Sequence, residues 1–254
     1  MDQRTKSYLH RNALHELLDF EVIKLIQNND GYTLAVLKND SHMSTWVEQC
    51  KSIVTDQTVP LSILPLFKEG ATVVDAGANI GTHTVEYARR VGPNGKVLAF
   101  EPYMPSFVCL AVNCRDFPQV ELFNYALGNF RGTAGLRLPE DINMGTVSVQ
   151  RSGGGTFVRP LDELALVACD FIKIDVEGFE PDVIDGALQT ITRFKPVLFV
   201  ELNDSALRRY GYSKNSVLKP LFDLGYTLHF HDPKHTLKEV QLDVIMKPPG
   251  AIAL

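Results

Sequence analysis

From about residue 70 the chain alternates short, nearly unbroken apolar runs with amphipathic stretches. The runs "TVVDAG", "KVLAFEP", "VELFNYAL", "DFIKIDV" and "PVLFVEL" have strand length, and helical spacing fills "TVEYARRVG" and the stretch from Pro105 to Cys114. Strands that are apolar on both faces and alternate with helices predict a parallel sheet covered on both sides. A helix opening at "EPDVIDGAL" carries Pro181 in its first turn, where proline is suited. A further helix around "SVLKPLFDLG" and two closing strands, "YTLHFHD" and "VQLDVIM", complete an α/β domain expected over residues 61–254.

Residues 1–60 follow a different pattern. Leu14, Leu17 and Leu18 recur at helical spacing and "GYTLAVLKND" is a short strand pattern, so this segment is expected to be a cap or lid, too small to hold a core alone. Between Gly128 and Leu161 the βα rhythm breaks into "GTVSVQ", "SGGGT" and short strand-like pieces. Two placements are open for this section, an excursion over the binding face or a plain surface hairpin.

Composition narrows the partners. With 45% hydrophobic and 22% charged residues the chain has the make-up of a soluble globular protein, and no apolar run reaches membrane scale. The net charge of −5 and the lack of a Lys/Arg cluster interleaved with aromatics exclude a nucleic-acid footprint and favour a small-molecule partner. The start "MDQRTKSYLHRNALHELL" lacks the apolar core of a secretory signal, so a cytoplasmic location is expected. Cys50, Cys109, Cys114 and Cys169 form no C-x-x-C pair, which predicts reduced thiols rather than disulfides or structural zinc. Oligomeric state is not encoded in any of these features.

The chemistry starts at "VVDAGANIG", residues 73–81. A strand feeding a glycine-bearing turn and a helix holds nucleotides outside the strand's carboxyl end. Here the glycines are Gly77 and Gly81, with Ala78 and Asn79 between them, which departs from G-x-G-x-x-G. Asp75 at the loop mouth would repel a diphosphate and attract a cation. A nucleoside carrying positive charge fits both facts, and S-adenosylmethionine has that form. Glu101, at the end of the next strand, is placed to accept hydrogen bonds from the ribose hydroxyls.

"VVDAGANIGTHT", "AFEP", "NYALGN", "LDEL", "DFIKIDVEGFE" and "LFVELN" together resemble the FkbM-type methyltransferases over residues 70–230. The resemblance implies a Rossmann-like class I methyltransferase fold, with a seven-stranded sheet whose last strand is antiparallel. It also implies methyl transfer to a hydroxyl of a sugar or secondary metabolite. Carried over by position, Asp75, Gly77, Ala78, Asn79 and Gly81 match the cofactor loop and Glu101 the ribose acid. Ala126 falls where the adenine edge is met, Asp175 faces the methionine part and methyl, and Asp56 matches a further acid of the family.

At the strand ends, Asp175 and Glu177 lie two residues apart, and Glu201 and Asn203 end the neighbouring strand. Two mechanisms fit. Glu177 or Glu201 serves as general base, or Asp175, Glu201 and Asn203 hold Mg²⁺ against the acceptor oxygen. The catalytic candidates are therefore Asp175, Glu177 and Glu201, with the metal as the alternative aid. Against them stand plainer roles, Glu177 as a helix cap and Glu201 as the partner of Lys173. His83 is a second candidate base or a helix-start residue, while His229, His231 and His235 read as surface or rim histidines. Asn143, Thr146 and Ser148 would bind acceptor hydroxyls if their segment covers the site. "DVEG" at the fourth strand end lacks the D/N-P-P-Y/F turn of enzymes methylating nucleobase or amide nitrogen. An N-methyltransferase, an NAD-dependent oxidoreductase and a non-catalytic cofactor-binding module are the competing functions.

Overall fold

The computed structural model describes residues 22–54, 63–139, 143–230 and 234–250. Leu14, Leu17, Leu18, Asp56 and His231 lie outside the described residues. The chain enters as a hairpin, β1 (Ile23–Gln27) antiparallel to β2 (Thr33–Leu37), followed by helix α1 (Met43–Cys50). Every residue of β2 is buried, so this strand packs on both faces.

The alternating section then forms β3 (Thr72–Ala76), α2 (Thr82–Val91), β4 (Lys96–Phe100), α3 (Met104–Asn113) and β5 (Val120–Phe123). The run "VELFNYAL" does not continue as one strand. Asn124 donates through Nδ2 to the carbonyls of Glu101 and Pro102 at 2.8 and 3.3 Å, and the turn sends the chain into a second, smaller sheet. That sheet comprises β6 (Ala126–Leu127), β7 (Gly132–Arg137), β8 (Ser148–Gln150) and β9 (Thr156–Arg159), in the order β6-β9-β7-β8.

The main sheet resumes with β10 (Phe171–Ile174), helices α4 (Glu180–Asp185) and α5 (Leu188–Phe194), and β11 (Val197–Asn203). It closes with α6 (Asp204–Arg209), α7 (Lys214–Asp223), β12 (Thr227–Phe230) and β13 (Gln241–Lys247). Seven strands run in the order β12-β13-β11-β10-β3-β4-β5, all parallel except β13, which is antiparallel to both neighbours.

The unbroken apolar runs have a direct cause, since side chains alternate between faces and both faces are covered. Val74, Leu98, Ile172 and Val200 pack with Ile191, Val217 and Leu221 of α5 and α7. Their neighbours Val73, Val97, Phe171 and Phe199 pack on the other face with Tyr87, Ala88 and Val91 of α2.

Asn113 fastens the amino-terminal hairpin to this frame. It is buried, accepts from the Ala35 amide at 2.8 Å and donates to the Ala35 and Ile80 carbonyls at 2.9 and 2.8 Å. Its amide thereby substitutes for a neighbouring strand along the edge of β2, where unpaired backbone groups would be costly to bury. All four cysteines are free, and Cys109, Cys114 and Cys169 are buried. Among the described residues no helix is long and apolar enough to cross a membrane.

Candidate functional site

The loop after β3 is shaped by close approach. Gly77, at φ +81°, sits so near the Asp175 carbonyl that a Cβ would have no room, and at Gly81, φ +96°, it would lie 2.9 Å from Leu110 Cδ1. The amides of Gly77 and Ala78 both donate to the Phe100 carbonyl at 3.0 Å, pressing the loop against the end of β4. Glu101 accepts from the Asn79 amide through Oε2 and from the Tyr103 amide through Oε1, each at 2.8 Å. Burial raises its pKa to about 7 even though the two amides and Lys173 act the other way.

Beside this loop lies a narrow cleft. Gly77, Asn79, Glu101, Ala126, Leu127, Asp175 and Glu177 all line it. Met144, Gly145, Val147 and Val149 line it too, so the irregular section does fold over the cleft, as its roof. Within that roof Asn143 Oδ1 accepts from the Gly145 amide at 3.1 Å and Thr146 donates to the Asn143 carbonyl at 2.9 Å. Ser148 is buried. Ala78 and Gly81 do not line the cleft; Ala78 is buried among apolar side chains.

Asp75 requires a correction. It does not face the cleft but is fully buried, accepting from the Thr84 hydroxyl at 2.6 Å, with Lys173 Nζ 3.5 Å from its other oxygen. Lys173 also lies 3.1 Å from Asp175 Oδ2 and donates to the Gly77 carbonyl at 2.9 Å. The sheet register explains this. Lys173 stands opposite Asp75 on the adjoining strand, so the two side chains share a face and meet inside it. Asp175 lies one residue beyond β10 and its side chain emerges, 37% exposed. Sequence reading named Lys173 only as a partner for Glu201. A lone lysine inside an apolar strand is itself the signal that a carboxylate must accompany it.

Carboxylate oxygens of Asp175, Glu177 and Glu201 lie within 4.8 Å of one another. Their environments drive their protonation apart. Burial disfavours the Asp175 charge, but Lys173 outweighs it and holds the pKa below its usual value. Burial together with Asp175 and Glu177 pushes Glu201 well up, and its Oε1 accepts from Gln241 Nε2 at 2.6 Å. Glu177 is raised to about 8, first by burial and then by Asp175 and Glu180, with Arg209 opposing. The Glu177 backbone is left-handed, φ +58°, and Arg209 donates to its carbonyl at 3.3 Å.

Glu177 is not the cap of α4. Glu180 closes that turn, accepting from the Val176 and Gly178 amides at 3.3 and 3.0 Å. Asn203 does not join the carboxylates either, because its Oδ1 caps α6 by accepting from the Ser205 and Ala206 amides. His83 lies in the first turn of α2, its ring facing Tyr87 at 6.0 Å, and its charge favours ionised Asp175. His229 contacts the Thr227 hydroxyl and His235 faces Glu239, so these two histidines do not converge on the cleft.

The raised carboxyls set a pH dependence. Glu101 and Glu180 near 7 and Glu177 near 8 hold protons that the unfolded chain, with its glutamates near 4.5, has released. The folded state therefore binds more protons across this window, and stability falls as pH rises from about 4.5 to about 8. Thermal melts should show Tm decreasing across that interval. A Tm that climbs with pH throughout it would contradict the burial of these three groups.

A ligand cleft at the carboxyl ends of a seven-stranded sheet with one antiparallel strand defines a class I S-adenosylmethionine-dependent methyltransferase fold. The chain belongs to the FkbM methyltransferase family: the pattern of the methyltransferase FkbM domain matches residues 75–228. That membership makes it an S-adenosylmethionine-dependent methyltransferase. Among solved structures it is similar to a methyltransferase FkbM from Methylobacillus flagellatus KT, at 22% identity and a TM-score of 0.49. That alignment covers 74% of this chain and 48% of the other, so this chain spans about half of its length. It is also similar to fibrillarin of Aeropyrum pernix, at 14% identity over 88% and 93% of the two chains, TM-score 0.48. An O-methyltransferase of Thermotoga maritima aligns at 13% identity over 91% and 79%, TM-score 0.47. A search of curated proteins finds no significant match.

Proposed function

We propose that the chain transfers a methyl group from S-adenosylmethionine to a hydroxyl of a sugar or small secondary metabolite, with residues 1–60 serving as a cap on the domain over 61–254. The observation that carries this reading is the polarity of the cleft, whose lining includes the hydrogen-bonding acid Glu101 together with the acids Asp175 and Glu177. The residues suit the cofactor. Asn79 Oδ1 is buried without a hydrogen-bond partner, Glu101 keeps accepting capacity beyond its two backbone amides, and Ala126, Leu127 and Val149 offer an apolar wall. The cofactor supplies an electrophilic methyl on a positively charged sulfur.

Glu101 binds the ribose hydroxyls and Ala126 borders the adenine. Asp175, kept ionised by Lys173, faces the cationic part, so the role first read into Asp75 passes to a carboxylate one strand over. Glu177 takes the proton from the acceptor hydroxyl, held in place by Arg209. Glu201 keeps its proton and limits the charge of the cluster. Lys173 already supplies positive charge next to Asp175, so this mechanism uses no metal; EDTA should leave turnover unchanged, and activity lost to EDTA and restored by Mg²⁺ would favour the metal-assisted alternative. The net charge of −5 supports a small acceptor over RNA or DNA.

Titration calorimetry tests the cofactor half. S-adenosylhomocysteine should bind and NADH should not, and Glu101→Gln should weaken the first by about 10- to 100-fold, the loss expected for charge-assisted hydrogen bonds. Transfer of labelled methyl to a panel of hydroxylated acceptors tests the other half. Labelling confined to amines or to RNA would overturn the O-methylation reading.

A further inference from the structure

The roof of the cleft is tied down by a residue outside the family-matched segment. The amide of Met144 donates to Oδ1 of Asp40 at 3.0 Å, across 104 residues of sequence. Asp40 is 3% exposed, and its other carboxylate oxygen accepts from the Ser44 amide at 2.7 Å in the first turn of α1. One buried carboxylate thus holds both the start of a helix and the start of the roof turn Met144–Thr146. Hydrogen bonds to an ionised group in such a setting are roughly twice as strong as neutral ones. The Met144 side chain adds apolar contact, packing against the cluster that contains Val36 and Val47 of the amino-terminal segment.

The other end of the roof is fastened separately. Tyr210 donates to the Val149 carbonyl, and Arg151, just past β8, pairs with Asp182 and Tyr212. Beyond Arg151 the chain runs through Gly153, Gly154 and Gly155, where a Cβ at Gly154 or Gly155 would meet nothing within 4 Å. Gly153 lies against Gly135 of β7 and β8 pairs antiparallel with β7, so the small sheet steadies the carboxyl-terminal end of the roof, while Asp40 ties the turn Met144–Thr146 to the amino-terminal segment.

We propose that Asp40 is a positioning residue for the cofactor: by fixing the turn Met144–Thr146 over the cleft it makes cofactor retention depend on the amino-terminal segment. This rests on the cofactor assignment above. Asp40 touches neither the acids at Asp175 and Glu177 nor Glu101, so its loss should act on binding rather than on the chemical step.

The test compares Asp40→Ala and Asp40→Asn with Thr45→Val. The last removes a hydroxyl that donates to the Asp40 carbonyl at 2.6 Å, at the same helix start but away from the roof. S-adenosylhomocysteine affinity is read by calorimetry, its release by stopped flow, and kcat and KM for S-adenosylmethionine by labelled transfer. Asp40→Ala should weaken binding about 10-fold, mainly through faster release, with kcat at saturating donor within about 2-fold of the parent. Asp40→Asn keeps an acceptor oxygen and should fall between, while Thr45→Val should match the parent. If Asp40→Ala does not fold, Asp40→Asn decides alone by the same split. A folded variant with parental affinity overturns the proposal, as does a loss of kcat at unchanged KM or an equal loss in Thr45→Val. If the parent chain binds no S-adenosylhomocysteine, the cofactor assignment itself fails and takes this proposal with it, a result distinct from parental binding matched by the variants.

Discussion

Replacing Glu177 by glutamine is expected to lower kcat by roughly 10²- to 10⁴-fold, the range supplied by a positioned general base. Glutamine keeps the side chain's length and its hydrogen-bonding reach but cannot accept the hydroxyl proton. S-adenosylhomocysteine binding should stay near parental, since Glu177 meets the acceptor side of the cleft. The pH profile supplies an independent check. With Glu177 raised to about 8, the ionised base is a minority at pH 7, so parental kcat/KM should climb with pH and level off above about 8. The variant should lose that limb. Full turnover in Glu177→Gln, or a parental profile flat between pH 6 and 9, would remove Glu177 from the mechanism and leave Glu201 or the metal-assisted route.

The second large effect belongs to Lys173. Lys173→Met should destabilise the fold by about 3–5 kcal/mol, the usual cost of breaking a buried ion pair from one side. Methionine fills a similar volume, but it strands Asp75, which is fully buried, and leaves the Gly77 carbonyl without its donor. Urea denaturation measures the loss. Lys173→Met combined with Asp75→Asn should recover part of it, because the second change removes the stranded charge. Activity should not return with stability, since Asp175 would still lack the cation that keeps it ionised. If the single variant unfolds at the parental midpoint, the buried network is not what holds the loop in place.

Much of the frame could be read along the chain. The main-sheet strands announced themselves as apolar runs because each is covered on both faces, as Val73 and Val74 illustrate by packing into opposite clusters. Glu101 and Glu177 were located because chain ends of parallel strands share one edge. The splitting of "VELFNYAL" was not legible: nothing local to Tyr125 reveals that Asn124 would bond two carbonyls at the end of β4. The strand Ile23–Gln27 went unnoticed although its partner Thr33–Leu37 falls in the strand pattern "GYTLAVLKND", since five residues with mixed polarity give too weak a period. Asn203 was read as a possible ligand, yet an asparagine just before a helix has a competing local use in capping it.

The sequence by itself determined the order of the main-sheet strands, the glycine loop and the set of acids gathered at one sheet edge, because these follow from local periodicity and from the spacing of residue types. Only the tertiary structure decided which acid is open and which is sealed. Strand register puts Lys173 opposite Asp75 and carries Asp175 one step further into the cleft, and the resulting differences in burial and neighbouring charge separate the protonation of Asp175, Glu177 and Glu201. Charge placement depends on distances between strands far apart in sequence, and no local pattern encodes those distances.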